Sequence, residues 1–332
     1  MKFSICIPNY NYAAYLKLTL ESVIRQTGAS FEICVADNNS NDGSQALIKQ
    51  FAEENAAIKY AFNATNIGFS DNLLTVSQMA TGDWQILLSS DDIMAEGALK
   101  FYQDFIEKIG PGKKFAFSSS CDKIDSEGNK IGFLGPRSKV WLAGDIDADL
   151  STKMGCDVYC VSSKEMLQRS LSTFYGPFNF APTCYSASSY AQAGGYIGGR
   201  MYNPDKWFHW RLLPVVDAVY FLDKPTFGYR WHAQNQAAIQ QKSQALKYLV
   251  DEYRNAIEVS PEMLAFAGMD KAALQQNFIE EVVVKQAFAA IKNAQRQEAA
   301  RVLHFGTATF PLEANRSKFF WAMKALLVLG PI

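Results

Sequence analysis

Trp84-Gln85-Ile86-Leu87-Leu88-Ser89-Ser90-Asp91-Asp92 runs an apolar, strand-like segment straight into two adjacent carboxylates. Neighbouring carboxylates repel, so a pair at a strand end draws a divalent cation. Hard cations such as Mg²⁺ take oxygen ligands, commonly one or two carboxylates completed by substrate phosphates. The plainer reading is an acidic helix start, since acids are favourable near a helix N-terminus and a helix is expected from about Glu96 to Ile109. The Gly82-Asp83-Trp84 turn and the apolar strand after it favour the metal.

Working back from this stretch, strand and helix signals alternate. Phe3–Pro8, Phe31–Ala36 and Ile58–Phe62 read as short strands. Between them Leu16, Leu20, Val23 and Ile24 recur at helical spacing, as do Leu47, Ile48 and Phe51, and a third helix is expected from about Ser70 to Met79. This alternation predicts right-handed crossovers and a doubly wound, mostly parallel α/β sheet covered on both faces. In such sheets ligands bind outside the carboxyl ends of the strands. Asn9, Asp37, Asn66 and Asp91 each lie just past a predicted strand end, and four polar clusters at equivalent points weigh more than any one.

Working forward, 115–232 is less regular. Phe115–Ser120 and Val219–Phe221 look like strands, and aromatic residues concentrate between Phe174 and Trp231, lining either a cleft or a second core. From about 243 the pattern turns helical, with apolar faces over Gln244–Ile257, Leu274–Asn293 and Gln297–Phe305. The chain of 332 residues accommodates one large α/β domain with an appendage. A hydrophobic content of 48% and a charged content of 20% are ordinary for a globular protein, and a net charge of -1 offers no electrostatic case for nucleic acid. Cys6 and Cys34 sit in apolar strands as buried thiols do, and Cys156 and Cys160 lack a second Cys/His pair at zinc spacing. A reducing cytoplasm fits this usage. No signal peptide is evident behind Met1-Lys2, and no apolar run reaches the roughly 20 residues needed to span a bilayer.

Four further positions carry candidate chemistry. A carboxylate at Asp37 can accept from a uracil or thymine ring N–H or from ribose hydroxyls; a turn-forming Asp bonded to its own backbone is the alternative. Asp205, after Pro204, reads as a general base or as a first-turn helix acid. Arg230 is placed to meet a diphosphate, and His232 to complete a metal shell with Asp91 and Asp92; a structural Arg/His pair is equally open.

Ser4-Ile5-Cys6-Ile7-Pro8-Asn9-Tyr10-Asn11, Leu20-Glu21-Ser22-Val23-Ile24-Arg25-Gln26-Thr27, Val35-Ala36-Asp37-Asn38-Asn39-Ser40-Asn41-Asp42-Gly43-Ser44 and Asn66-Ile67-Gly68 follow in order before Ser89-Ser90-Asp91-Asp92. This series resembles the family 2 glycosyltransferases of the GT-A type. The resemblance is strong over about 3–105. It is looser through Gly194-Gly195-Tyr196, Asp205-Lys206-Trp207-Phe208-His209-Trp210-Arg211 and Tyr229-Arg230-Trp231-His232, and absent beyond about 240. It implies inverting transfer of a sugar from a UDP- or dTDP-linked donor to a hydroxyl of a saccharide or polyprenyl-linked saccharide. Mn²⁺ or Mg²⁺ would be the cofactor, and bacterial surface polysaccharide assembly the setting.

By position, the resemblance puts Pro8, Asn9, Tyr10, Asp37, Asn66, Asn72, Ser90 and Asp91 around the nucleotide sugar. Asp91 becomes the best metal ligand and Asp205 the base. It divides the chain into a 1–240 transferase domain, with a donor half at 1–110 and an acceptor half at 111–240, and a helical region at 241–332. Ser89 departs from the first acid of the family's Asp-any-Asp motif, and Asn38 and Asn39 stand where acids are common. These departures support the alternative of a non-catalytic nucleotide-sugar-binding or scaffold protein. The Gln-any-any-Arg-Trp motif of processive synthases is missing, which favours single additions. The segment 316–329 is apolar with flanking cations, expected to pack on the main domain or a dimer partner, or to lie in a membrane interface beside a lipid-linked acceptor.

Overall fold

Strand β1 (Lys2–Asn9) is buried from Phe3 onward, as a strand covered on both faces must be. It pairs in parallel with β2 (Ser30–Asp37) and β4 (Trp84–Leu87), and β3 (Ile58–Phe62) extends the sheet beyond β2. Cys6 and Cys34 face each other in the β1–β2 register. Helices α1 (Ala13–Ile24), α2 (Ser44–Glu54), α3 (Phe69–Gln78) and α4 (Ala98–Ile109) make the connections; α1 buries Leu16, Leu20 and Val23 along one stripe. Gly82 is required where the chain enters β4, because a Cβ there would stand 2.7 Å from the Lys2 carbonyl oxygen.

The computed structural model describes residues 1–110, 112–199, 203–232 and 245–329, with the side chains of Ala245 and Leu329 excepted. The boundary expected near residue 240 therefore lies outside the described residues, as does the helix start at Gln244.

The sheet continues through β5 (Ile93–Met94), β6 (Phe115–Ile124), β7 (Lys130–Leu134), β8 (Val158–Ser162), β9 (Cys184–Ser186) and β10 (Ala218–Arg230). Its order is β3-β2-β1-β4-β9-β6-β10-β5, with β7 on β6 and β8 on β10. β6 and β10 run parallel to each other, while β5, β7, β8 and β9 pair antiparallel. β10 extends well past the Val219–Phe221 expected from sequence. Pro225 sits between two register shifts against β6, where a missing N–H is tolerated, and the strand resumes to deliver Arg230. The same stretch of chain also forms α5 (Ala148–Met154), α6 (Ser163–Thr173), α7 (Ala187–Gln192) and α8 (Pro204–Leu212).

The aromatic concentration downstream of Phe174 resolves largely into core. Phe178, Tyr185, Phe208, Trp210, Phe221 and Phe227 are all fully buried. Size explains this, because such rings bury the most apolar area per residue.

The chain forms two compact units. One holds Met1–Ser163, Pro177–Arg200 and Pro204–His232; the other holds Lys164–Gly176, Met201–Asn203 and Ala233–Ile332. The second unit contains helices at Ala245–Glu258, Pro261–Ala267, Lys271–Asn277, Lys285–Lys292, Arg296–Thr309, Pro311–Arg316 and Lys318–Leu329, with a π-helical stretch at Phe278–Val284. Phe278, Ile279, Val283, Leu303 and Phe320 are in its core. Gly306 permits a close approach, since a Cβ there would stand 2.8 Å from a Val283 methyl.

Candidate active site

Leu88 extends the pairing of β4 by donating its N–H to the Cys6 carbonyl at 3.0 Å. The chain then turns, with Asp92 N–H bonded to the Ser89 carbonyl at 3.2 Å, and the two acids part company. Asp91 Oδ2 lies 3.1 Å from His232 Nε2. Asp92 Oδ1 accepts from the Arg230 backbone N–H at 2.8 Å, and Asp92 Oδ2 is buried without a partner. The Thr19 hydroxyl, on α1, is 2.7 Å from the Asp92 carbonyl oxygen and 3.0 Å from that of Ser90, which holds the loop against the helix. Burial, then the Asp91 charge, pushes the Asp92 carboxyl well above the usual carboxylate range.

The expected three-ligand set of Asp91, Asp92 and His232 thus reduces to a pair. Among the described residues no three His, Cys, Asp or Glu side chains are gathered for a metal. Asp92 is drawn toward β10 because a buried carboxylate needs a donor, and the Arg230 N–H supplies one. One carboxylate and one imidazole fit a cation whose shell is completed by phosphate oxygens, rather than a closed protein cage.

Arg230 does not fit its expected place on a diphosphate. The side chain is 1% exposed. Its Nε donates to the Asp91 carbonyl at 2.7 Å, and its Nη1 to the carbonyls of Asp125 and Ser126, each at 3.0 Å. The guanidinium also lies over the Tyr15 ring at 5.1 Å. It pins the acidic loop to the turn between β6 and β7.

Asp37 is engaged from within the chain, as in the turn-forming alternative. The carboxylate is fully buried and accepts from Asn9 Nδ2 at 2.7 Å, the Ser40 N–H at 2.9 Å, the Ser40 hydroxyl at 2.6 Å and Gln45 Nε2 at 2.9 Å. Two carboxylate oxygens offer about four acceptor sites, and these four donors occupy them. Asn72 is buried and donates to the carbonyls of Ala36 and Asn9 at 2.9 and 3.3 Å. Asn38 binds the loop above it through Asn66 Oδ1 at 2.8 Å, the Gly68 carbonyl at 3.2 Å and the Ile67 N–H at 2.9 Å. Pro8, Asn9 and Ser90 are buried in the floor of this region, whereas Asn66 and Tyr10 are exposed.

Asp205 stands in the first turn of α8, half-buried. Burial raises its carboxyl above the usual range, and the Arg137 guanidinium pulls the other way. One turn on, His209 is fully buried with neither ring nitrogen partnered. Burial, helped by Arg137, pushes its imidazole down to about 3.

Sequence reading overlooked Tyr12 and Tyr15. Their rings lie 5.8 and 4.7 Å from the His232 ring and frame it. Burial, then the charges of Asp91 and Asp92, raises the Tyr12 phenol. The only sequence signal was their place between the Asn9–Asn11 loop and the first turn of α1.

The strand order, the acid pair past β4 and the helical C-terminal region define a GT-A-type fold, the architecture of nucleotide-sugar transferases. Residues 4–134 match the family described as Glycosyl transferase family 2. It is similar to the Salmonella typhimurium protein named abequosyltransferase RfbV, with 34% identity over 148 residues, 44% of this chain and 42% of that protein. It is also similar to a Campylobacter jejuni protein named GalNAc(5)-diNAcBac-PP-undecaprenol beta-1,3-glucosyltransferase, with 25% identity over 186 residues, 53% of this chain and 56% of that one. The chain therefore spans about half the length of these curated relatives. The crystal structure of S. aureus TarS 1-349 in complex with UDP-GlcNAc superposes with a TM-score of 0.65 at 15% identity, covering 98% of this chain and 88% of that chain.

Proposed function

We propose that this protein is an inverting glycosyltransferase. It moves a sugar from a UDP- or dTDP-sugar to a hydroxyl of a saccharide or polyprenyl-linked saccharide, in bacterial surface polysaccharide assembly. The observation that carries this reading is the Asp91–His232 pair, 3.1 Å apart at the end of β10 and just past β4. Ligands of parallel sheets bind outside the carboxyl ends of their strands. The polyprenyl acceptor is supported by the name of the Campylobacter relative. The donor site belongs to the half ending near residue 110 and the acceptor site to the half that follows.

Asp91 and His232 would hold Mn²⁺ or Mg²⁺ together with the donor phosphates. A cation there neutralises charge on the departing nucleoside diphosphate. Asp205 is the base: its carboxylate takes the proton as the acceptor oxygen bonds the anomeric carbon. The bond from that carbon to phosphate oxygen breaks, and the electron pair leaves with the diphosphate. The carbon inverts without a covalent sugar–enzyme intermediate.

Calorimetric titration of UDP and dTDP with Mn²⁺, then with EDTA, tests the reading. Metal-dependent binding that Asp91→Ala weakens is expected. Binding of neither nucleotide, nor of GDP tried next, would favour the non-catalytic alternative.

A further inference from the structure

The helix Lys318–Leu329 turns Phe320 and Met323 into the helical unit and leaves its other side open. At about 3.6 residues per turn, Lys318, Phe319, Trp321, Ala322, Ala325 and Val328 fall on one half of its circumference, and all are exposed. Phe319 is 63%, Trp321 51% and Val328 81% exposed. Scattered exposed apolar residues are normal, but a concentrated patch marks a surface that binds something.

The charges say what. Arg316, Lys318 and Lys324 are the only charged residues in 314–329, in a chain of net charge -1. The Lys324 ammonium lies 4.8 Å from the centre of the Trp321 ring, and the Trp321 indole N–H donates to the Asn315 carbonyl at 3.1 Å. A tryptophan held this way has an apolar body and a polar end, the character of side chains at the water–lipid boundary.

We propose that this face binds the surface of an anionic lipid bilayer, with the helix lying in the interfacial plane. Among the described residues no helix is long and apolar enough to cross a membrane, so the helix lies on it rather than through it. A second copy of the chain fits less well. A two-fold contact sets a patch against itself, which would bring Lys318 and the cations flanking the patch toward their own copies. The value of such docking rests on the polyprenyl-acceptor reading above; the binding itself does not.

Flotation of the full chain tests this, with vesicles of phosphatidylcholine alone or mixed with phosphatidylglycerol. The protein is expected to float with the mixed vesicles only. The double variant Phe319→Ser/Trp321→Ser is expected to lose about tenfold or more in partitioning, and Lys318→Glu/Lys324→Glu to lose binding to the mixed vesicles. These side chains reach solvent, so an unchanged melting temperature will show the fold intact. No flotation, or flotation undiminished in both variants, overturns the proposal. So does a concentration-dependent dimer in sedimentation that the variants abolish, since the face would then be a chain–chain interface. Metal-dependent UDP binding is measured on the same variants. Flotation without nucleotide binding would overturn the transferase reading and leave the lipid surface standing.

Discussion

Asp205, half-buried, and His209, fully buried, lie one helical turn apart on α8, and burial moves the two in opposite directions. Burial disfavours charge, so the carboxyl rises and the imidazole falls. A base must be ionised to work, so transfer should fail as pH drops through a carboxyl value above the ordinary ~3.9. Asp205→Asn should abolish transfer, measured as nucleoside diphosphate release, and keep donor binding; turnover retained in that variant would remove Asp205 from the mechanism. For His209 the sign is the reverse of a salt-bridged histidine. Below about pH 6.5 the unfolded chain takes up a proton that the fold refuses, so stability falls from there toward pH 3 and is flat above. His209→Leu should remove that slope, a gap of about 2 kcal/mol at pH 5 by linkage. Parallel pH–stability curves for the two proteins would refute the assignment. Residue type and strand-end position were enough to nominate Asp91, and His232 stood out as one of three histidines; that the two lie 3.1 Å apart follows from β10 running past its expected end. The turn-forming alternative anticipated the Ser40 N–H on Asp37; the bonds from Asn9 and Gln45 were not legible, because they depend on a loop in which Asn11 and Asn39 adopt positive φ.

Two ties between elements set the frame of the site. Near the amino ends of β1 and β2, at the opposite end of the strands from the acids, buried Glu32 of β2 accepts from Lys2 at 2.5 Å, Lys59 at 2.8 Å, Ser4 at 2.7 Å and the Thr81 N–H at 2.6 Å. Burial alone would raise its carboxyl, but these bonds outweigh that and hold it well below the usual range. The stability it contributes is therefore present above about pH 4.3 and is lost as pH falls below that. Glu32→Gln should cost about 2 kcal/mol at pH 7, and the gap should close in acid; a constant gap in chemical denaturation would argue against the tie. At the carboxyl end of β10, Arg230 joins that strand, the acidic loop and the β6–β7 turn. Arg230→Met strands the buried Asp91 carbonyl, at about 1–3 kcal/mol, while those of Asp125 and Ser126 can turn to water, so a loss of about 2 kcal/mol is expected in urea unfolding. Arg230→Lys should recover only part, because an ammonium cannot reach both segments. A change under about 1 kcal/mol would show the pin to be dispensable. Strands β1 to β4 were readable from apolar runs. Strands β7, β8 and β9 were not, being short, partly exposed or interrupted by turn residues.

For the molecule as a whole, alternation in the first hundred residues was enough to foresee a mostly parallel sheet, since each crossover follows from local periodicity. The antiparallel strands of the second half depend on long-range pairing that periodicity does not encode. The membership of Lys164–Gly176 in the helical unit has no sequence signal either, since it is decided by packing. The placement of the thiols has a practical outcome. All six cysteines lie in the sheet-bearing unit, four of them buried and Cys156 and Cys160 half-buried. A colourless thiol reagent that yields a chromophore on reaction would record the opening of that unit and be blind to melting of the helices. Two groups should be modified early, and Cys6, Cys34, Cys121 and Cys184 only at the rate of larger openings. The native chain thus carries a built-in clock for one half of itself, and it runs without a label, a mutation or knowledge of the substrate.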